Sequence, residues 1–260
     1  MPRLVSIIGG EYSERNALIH YIIQEFRRRN NRVSLVKKAP DTEFIEIKNK
    51  GLWRIYDAGP ETIAITSLGE IAFFMRRKMK LSEVLSFLHE VDYVLLDEFQ
   101  EEKNIVKIVM ARNADEAAEL SDDLTIALSG QIAESEREIG KASLLKIPVI
   151  NYKSETSKLA DIIEQKALPL LPGFLRCGEC GYESCYEFAK AIVTGSIPLK
   201  ECPLLAREDV ILETNGERIP LKAFPRDIIK NVIMGITSSL KDVKETNEIK
   251  IVIKRRTLIP

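Results

Sequence analysis

The chain has 260 residues with 38 basic and 39 acidic side chains, so its formal net charge is −1. This balance excludes a global electric field that would attract nucleic acid or an anionic membrane surface. Its hydrophobic fraction of 45% and charged fraction of 30% are typical of a soluble globular protein. The apolar runs are too short to cross a membrane, so we expect a cytoplasmic protein with no nucleic-acid or membrane partner.

Residues 1–167 are predicted to form an α/β domain, a mainly parallel sheet with helices on both faces. Apolar strand-like runs alternate there with segments that have helical spacing, which is typical of such a sheet. The predicted strands are residues 4–8, 33–36, 91–96, 105–110, 124–128 and 147–150. The predicted helices are one with an apolar face from Leu18 to Phe26, and residues 82–90, 115–121 and 157–165.

The first strand runs into two glycines, at the place where a phosphate-binding loop lies in open α/β folds. The segment fits the frame of G-x-x-x-x-G-K-[ST] from Gly9 onward, but Glu14 replaces the second glycine. Arg15 replaces the lysine and Asn16 replaces the hydroxyl that holds magnesium, so efficient NTP hydrolysis is not expected. Nucleotide binding and a merely connecting loop both stay open. The candidate cofactor-binding residues of this loop are Gly9, Gly10, Ser13, Arg15 and Asn16.

Acidic side chains end the predicted strand at 91–96, where Asp97 is followed directly by Glu98. In phosphate-loop folds an acid at such a strand end approaches magnesium, although a polar strand end has the same pattern. Both positions follow strand carboxyl ends, which is where open α/β folds bind ligands. Asp97 and Glu98 join the candidate cofactor site.

All four cysteines of the chain lie close together, in the pattern Cys177-x2-Cys180-x4-Cys185-x16-Cys202. A glycine-containing run of thiolates ending in Cys-Pro favours a [4Fe-4S] cluster, with structural zinc as the alternative. The four cysteines are the predicted metal ligands, in a small domain at residues 173–205.

A helix is predicted to begin inside the cysteine segment, because Ser184 and Glu187 have the spacing of a capping box. Cys185 would then be the first helical residue, where the helix dipole favours a thiolate or an anionic cluster. Gly195 is predicted to end this helix.

Residues 206–260 are predicted to form a small α+β unit. A hairpin at 210–221 turns at Asn215-Gly216, a pair that accepts the positive φ values of a tight turn. A helix is predicted after Pro225, and a partly exposed strand at 247–254.

The order of these segments resembles the molybdopterin-guanine dinucleotide biosynthesis protein B (MobB) family. The loop IIGGEYSERNALI, the strand with its lysine RVSLVKKAP, the segment DAGPETIAIT and the acidic strand end VDYVLLDEF carry the resemblance. The cysteine segment resembles the four-cysteine [4Fe-4S] domain of redox and corrinoid proteins. This chain departs from the family at Glu14, Arg15 and Asn16, and by lacking histidines after Lys38.

The resemblance implies a P-loop-like domain that binds GTP weakly and an accessory role in molybdenum or tungsten cofactor maturation. It also implies that Lys37, the lysine at the end of the second predicted strand, is a further cofactor-binding residue. It implies as partner a molybdenum- or tungsten-cofactor enzyme. The main alternative is an electron-transfer or scaffold module, with a redox partner and a P-loop-like domain that binds no nucleotide. A residual GTPase is a lesser alternative, and a homodimer is compatible with the sequence.

Overall fold

The structure is a computed structural model that describes residues 2–38, 54–55, 57–88, 90–171, 180–198, 202, 210–214, 217–219, 221, 223–241 and 249–253. Its contacts divide the chain into two compact units, Met1–Leu205 and Ala206–Pro260. No helix in the described part of the chain combines the length and apolar character needed to span a bilayer.

A parallel sheet forms the centre of the first unit. The strands of this unit are β1 Arg3–Gly9, β2 Val33–Lys37, β3 Thr62–Thr66, β4 Ile71–Met75, β5 Tyr93–Asp97, β6 Val106–Met110, β7 Thr125–Ser129 and β8 Leu168–Pro169. Five of them pair in parallel in the order β2-β5-β1-β6-β7, and β8 pairs antiparallel with the start of β1. The predicted fold class, a mainly parallel sheet of the P-loop type, is therefore confirmed.

Helices cover both faces of this sheet. They are α1 Tyr12–Arg28, α2 Leu81–Leu85, α3 Ala114–Leu120, α4 Glu136–Ala142, α5 Thr156–Lys166 and α6 Cys185–Val193. One face packs on α1, α5 and α6, with Val5 and Leu95 in that core. The other face packs on α3 and α4 around Ile8 and Val109, and on α2 around Leu96. Because both faces are covered, β5, β6 and β7 are buried along their whole length.

Two local predictions for this unit differ from the structure, and one pair of strands was not predicted. Residues 147–150 form only a single bridge, between Val149 and Leu128. The helix predicted at 82–90 ends at Leu85. The antiparallel hairpin β3–β4 was not predicted, because several of its apolar side chains face solvent and give no clear alternation, as at Phe73, which is 59% exposed.

The helix α6 belongs to the core of the first unit. Phe188 and Ala189 of α6 are buried in the same cluster as Ile126 of β7 and Ile163 of α5. The helix ends as predicted, since Gly195 has a φ of +77° and the Gly195 amide donates to the Ile192 carbonyl. The division of residues 1–205 into domains 1–167 and 173–205 stays a prediction.

The second unit contains a hairpin and a long helix. The strands β9 Leu212–Thr214 and β10 Glu217–Ile219 pair antiparallel, and the predicted turn residues Asn215 and Gly216 lie outside the described residues. The helix α7, Ala223–Ser239, begins two residues before Pro225 rather than after it. Proline is tolerated in a first helical turn because the amide it lacks would have no partner there. The described residues 249–253 of the predicted strand 247–254 form no strand.

Candidate phosphate-loop site and cysteine segment

Strand register places Lys37 and Asp97 side by side. Each is the last residue of its strand, and the two are register partners in the β2–β5 pair. Since strands in a parallel sheet end at one edge, both side chains lie at the carboxyl edge beside the β1–α1 loop. Asp97 is almost completely buried, with 1% of its side chain exposed. A buried carboxylate requires cationic or hydrogen-bonding partners, and this site supplies them.

Two glycines turn the chain from β1 into α1. Gly9 has a φ of +73° and Gly10 a φ of +65°, a region that residues with a Cβ rarely adopt. Space is also restricted, since a Cβ on Gly9 would lie 2.5 Å from the Met110 carbonyl oxygen of β6. Close approach of the loop to β6 therefore requires glycine at this position.

Arg15 lies in the first turn of α1 and is buried. Its Nε donates to Asp97 Oδ1 over 2.8 Å. Its Nη1 donates to the carbonyl oxygens of Gly9 and Gly10, at 3.1 and 2.9 Å. The same Nη1 lies 2.9 Å from Glu98 Oε1. The guanidinium thus joins the loop backbone to the acidic end of β5.

Lys37 contacts the same carboxylate from the other side. Its Nζ lies 3.0 Å from Asp97 Oδ2 and 3.0 Å from Asn16 Oδ1. The Tyr12 ring centroid is 3.7 Å from Nζ, a cation–π contact. Burial alone lowers the pKa of Lys37, but bonding to Tyr12 and Asp97 outweighs it and raises the pKa. The side chain therefore remains an ammonium at neutral pH.

Two further acidic side chains border the loop. Glu98 has a φ of +68°, which for a residue with a Cβ costs about 1 kcal/mol. Its amide donates to the Ile7 carbonyl, so the strained residue continues the β5–β1 ladder. Glu14 accepts a hydrogen bond from Gln131, 3.1 Å away and just beyond β7. Its carboxylate therefore links the loop to the next part of the same sheet edge.

The structure thus brings together Gly9, Gly10, Arg15, Asn16, Lys37, Asp97 and Glu98 of the predicted cofactor-binding residues. Ser13 lies exposed in the first turn of α1. Sequence reasoning missed Tyr12 and Gln131. Tyr12 could have been found as the aromatic residue at the first helical position, whereas no local signal marked Gln131.

Three of the four predicted metal ligands are within the described residues, and Cys177 is not. Cys185 is the first residue of α6, and the Ser184 hydroxyl accepts from the Glu187 amide over 3.2 Å. This confirms the predicted N-cap. Cys180 is partly buried, and Cys202 is 5% exposed. All three pack against the hydrophobic core of the first unit.

The donor chemistry of this segment fits an iron-sulfur cluster. No disulfide joins Cys180, Cys185 and Cys202, and each sits in partly or fully apolar surroundings. Thiolates in partly apolar surroundings, with one at a helix N-terminus, suit a soft and anionic metal cluster. Within the described ranges, no three His, Cys, Asp or Glu side chains are grouped as a metal site.

The cysteine helix and the loop lie at opposite edges of the sheet. Lys190 of α6 pairs with Asp123 at 2.8 Å, and Asp123 precedes β7. The neighbouring Asp122 pairs with Lys107, at the start of β6. α6 therefore contacts the amino edge, whereas Arg15 lies at the carboxyl edge. Strands of five residues separate the two edges by about 15 Å.

The strand order, the glycine loop after β1 and the acid at the end of β5 define a P-loop-type α/β domain. Residues 4–130 match the family model described as "Molybdopterin guanine dinucleotide synthesis protein B", or MobB. This part of the chain, just under half of its length, is therefore similar to the MobB family. Residues 171–204, which contain the four cysteines, match the family model described as "Putative Fe-S cluster".

Individual proteins and solved structures also show similarity to this chain. "Uncharacterized protein MJ0119" of Methanocaldococcus jannaschii is 40% identical over 58 residues, 22% of this chain and 25% of that protein. The match thus spans a quarter of that relative's length. The MobB structure from Bacillus subtilis has a TM-score of 0.50 at 17% identity, covering 64% of this chain and 98% of that one, and supports the fold. The MobB homolog from Bacillus stearothermophilus has a TM-score of 0.46 at 18% identity, covering 62% and 95%.

Proposed function

We propose that this protein is an iron-sulfur accessory protein of molybdenum or tungsten cofactor maturation. Its loop site binds the phosphate of a nucleotide or pterin cofactor weakly and lacks efficient GTPase activity. The observation that supports this proposal is the position of Arg15, whose guanidinium contacts Asp97, Glu98 and the loop carbonyls. A cation held at the centre of such a loop can still meet a phosphate oxygen.

Efficient hydrolysis is not expected, because the groups that would perform it are absent or engaged. Arg15 is held by two carboxylates and two carbonyls, so a phosphate must compete with those partners. Asn16 provides an amide oxygen where a hydroxyl normally holds magnesium. Glu14 adds a negative charge where the loop amides would approach phosphate.

Cys177, Cys180, Cys185 and Cys202 are the ligands that we assign to a [4Fe-4S] cluster. When bound, such a cluster supplies one-electron redox chemistry and cross-links the segment that holds it. The protein contributes the helix start at Cys185 and the apolar surroundings of Cys202. Zinc is the alternative metal for the same thiolates.

A second candidate function is an electron-transfer or scaffold module whose P-loop-like domain binds no nucleotide. The burial of Phe188 and Ala189 of α6 in the α/β core favours it, because the cysteine segment is then built into the domain. The distance between the two sheet edges also separates any cluster chemistry from the loop.

Titration with GTP and with molybdopterin-guanine dinucleotide distinguishes the two candidates. We expect weak binding that Arg15→Gln abolishes and that Arg112→Gln leaves unchanged, since Arg112 is exposed and pairs with Glu116. Absence of binding of either compound at about millimolar concentration would favour the scaffold function. A dissociation constant above about 1 mM corresponds to a binding free energy of less than about 4 kcal/mol. GTP turnover at ordinary GTPase rates would instead support the residual GTPase.

Metal analysis of anaerobically purified protein tests the cluster. We expect brown protein with about four irons per chain. Cys185→Ser should reduce the iron content, whereas Ser184→Ala should retain it and cost only the cap, about 1 kcal/mol. A colourless protein that contains zinc would instead indicate a structural zinc site.

A further inference from the structure

The loop site contains an ammonium at the position where related folds hold a divalent cation. In phosphate-loop folds, magnesium is bound by the residue after the motif lysine and by the acid at the end of a buried strand. Those two positions are Asn16 and Asp97 here. Lys37 Nζ lies 3.0 Å from Asn16 Oδ1 and 3.0 Å from Asp97 Oδ2.

We infer that the Lys37 ammonium replaces the divalent cation, so that the site binds phosphate-bearing ligands without magnesium. The phosphate ligand rests on the proposed function, whereas the exclusion of divalent cations rests on the contacts of Lys37 alone. Asn16 and Asp97 supply the oxygens that a divalent cation would use, and the same oxygens contact the Lys37 ammonium here. The ammonium takes the place of the cation that would otherwise bridge protein and phosphate.

The charges at this site support the exclusion of a divalent cation. A cation bound to the same two oxygens would lie next to the ammonium, and like charges at such distances repel strongly where water is scarce. Arg15 and Lys37 already face the two carboxylates Asp97 and Glu98. A divalent cation would therefore add two positive charges to a site that is already balanced.

Other contacts hold Lys37 in this position. Its ammonium also lies over the Tyr12 ring, 3.7 Å from the centroid. The Lys37 side chain is 23% exposed, so part of it is accessible to a ligand from solvent. The Asp97 carboxylate, at 1% exposure, depends on Arg15 and Lys37 for its compensation. Displacing Lys37 would therefore require a replacement cation at Asp97 Oδ2.

The neighbouring lysine provides a matched control. Lys38 is 56% exposed and pairs with Glu101 at 2.8 Å, away from the Asp97 carboxylate. Lys37→Gln and Lys38→Gln remove the same charge from adjacent positions. Only the first change should open the oxygens of Asn16 and Asp97 to a divalent cation.

Mn²⁺ titration of the full-length protein, followed by the electron paramagnetic resonance signal of free Mn²⁺, tests the exclusion without a nucleotide. We expect Lys37→Gln to gain a Mn²⁺ site at least about tenfold tighter than any in the wild type or in Lys38→Gln. Adding Asp97→Asn to Lys37→Gln should remove that site. A Mn²⁺ site in the wild-type protein that Asp97→Asn abolishes would overturn the inference, and so would a folded Lys37→Gln variant with no gain.

GTP titration separates this inference from the proposed function. We expect the wild-type affinity to agree within about twofold between EDTA and excess Mg²⁺, and Lys37→Gln to bind about tenfold more tightly with Mg²⁺ than with EDTA. Wild-type binding that requires Mg²⁺ would overturn the inference and leave the proposed function standing. If GTP and molybdopterin-guanine dinucleotide bind under neither condition, the proposed function fails, and the Mn²⁺ titration alone decides whether Lys37 excludes the cation.

Discussion

At the scale of single residues, Arg15 has the largest expected effect on stability in the loop. We predict that Arg15→Gln lowers the free energy of unfolding by about 3 kcal/mol, because it leaves the buried Asp97 carboxylate with one cation instead of two. The measurement is urea unfolding at neutral pH, followed by far-ultraviolet circular dichroism.

The control for this prediction is another arginine–carboxylate pair at the surface. Arg112 is 63% exposed and contacts Glu116 one helical turn away. Arg112→Gln should have a much smaller effect, because water already solvates both charges of such a pair. Equal losses for the two variants would contradict the structural role that we assign to Arg15.

Gly9 is the second residue with a specific prediction. We expect Gly9→Ala to lower the free energy of unfolding by about 3 kcal/mol or more, since a positive φ and a close backbone neighbour both oppose a Cβ. Urea unfolding measures this loss, and a GTP titration of the variant measures the affinity that it retains.

Gly140 is the matched control for Gly9. It lies within α4, and a Cβ built on it meets nothing within 4 Å. Gly140→Ala should therefore stabilise the protein by about 0.5 to 1 kcal/mol, the usual gain from replacing helical glycine. A Gly9→Ala variant as stable as the wild type would show that the loop adopts another conformation.

At the scale of elements, a charged network joins the end of α1 to α5. Arg29 reaches Asp161 and Glu164 of α5 at 2.7 and 3.0 Å, and it also pairs with Glu25. Hydrogen bonding from Arg28, with help from Arg29 and against the effect of burial, lowers the Glu25 pKa from 4.5 to about 2. The ionised carboxylate is therefore favoured by folding.

This lowered pKa predicts a pH-dependent contribution to stability. Because the folded pKa of Glu25 lies below the unfolded value, its contribution is complete above pH 4.5 and is lost as the pH falls toward 2. We expect wild type to exceed Glu25→Gln by about 1 kcal/mol at neutral pH, with the difference declining below about pH 4.5.

Urea unfolding of both proteins between about pH 7 and 3 measures this decline. Arg28→Gln serves as the control, because it removes the first cause of the lowered pKa and should weaken the pH dependence of the Glu25 effect. A difference between wild type and Glu25→Gln that stays constant over this range would contradict the prediction.

The elements themselves were largely predictable, because local patterns specify them. The buried strands β5, β6 and β7 are mostly apolar segments, and Ser184 with Glu187 marks the start of α6 in the sequence alone. The hairpin β3–β4 could not be predicted, since strands that bury little surface give a weak periodic signal.

The contacts of the site were less predictable than its residues. Gly9 and Arg15 follow from the frame of the phosphate-loop motif, and Asp97 follows from its position at the end of a buried strand. The contact of Lys37 with Asn16 depends on the order β2-β5-β1, which places strands distant in sequence beside each other. No local pattern encodes that order, so Lys37 could be predicted as a site residue but not as the bridge between two oxygens.

At the scale of the first unit, the cysteine helix and the α/β domain share one core. Phe188 of α6 is 1% exposed and makes an edge-to-face contact with Tyr182, whose ring centroid is 5.6 Å away. The same cluster contains Ile126 of β7 and Ile163 of α5. The apolar face of α6 was visible in the sequence, but its packing partner was not, because any apolar surface could have covered it.

This shared core predicts that α6 stabilises the sheet and not only the cysteine segment. We expect Phe188→Ala to lower the free energy of unfolding of the first unit by about 3 to 5 kcal/mol, the usual cost of such a cavity. Amide hydrogen exchange should accelerate in β7 and α5 as well as in α6, because they form one cooperative unit.

Phe87 is the control, since it belongs to the same unit but is 52% exposed. Phe87→Ala should change the exchange of β7 and α5 little, because it opens no cavity in the core. If Phe188→Ala accelerated exchange in α6 alone, the cysteine segment would be an independently folding attachment. Faster exchange throughout β7 and α5 would instead mean that packing of α6 stabilises the domain that holds the phosphate loop, although α6 and the loop contact opposite edges of the sheet.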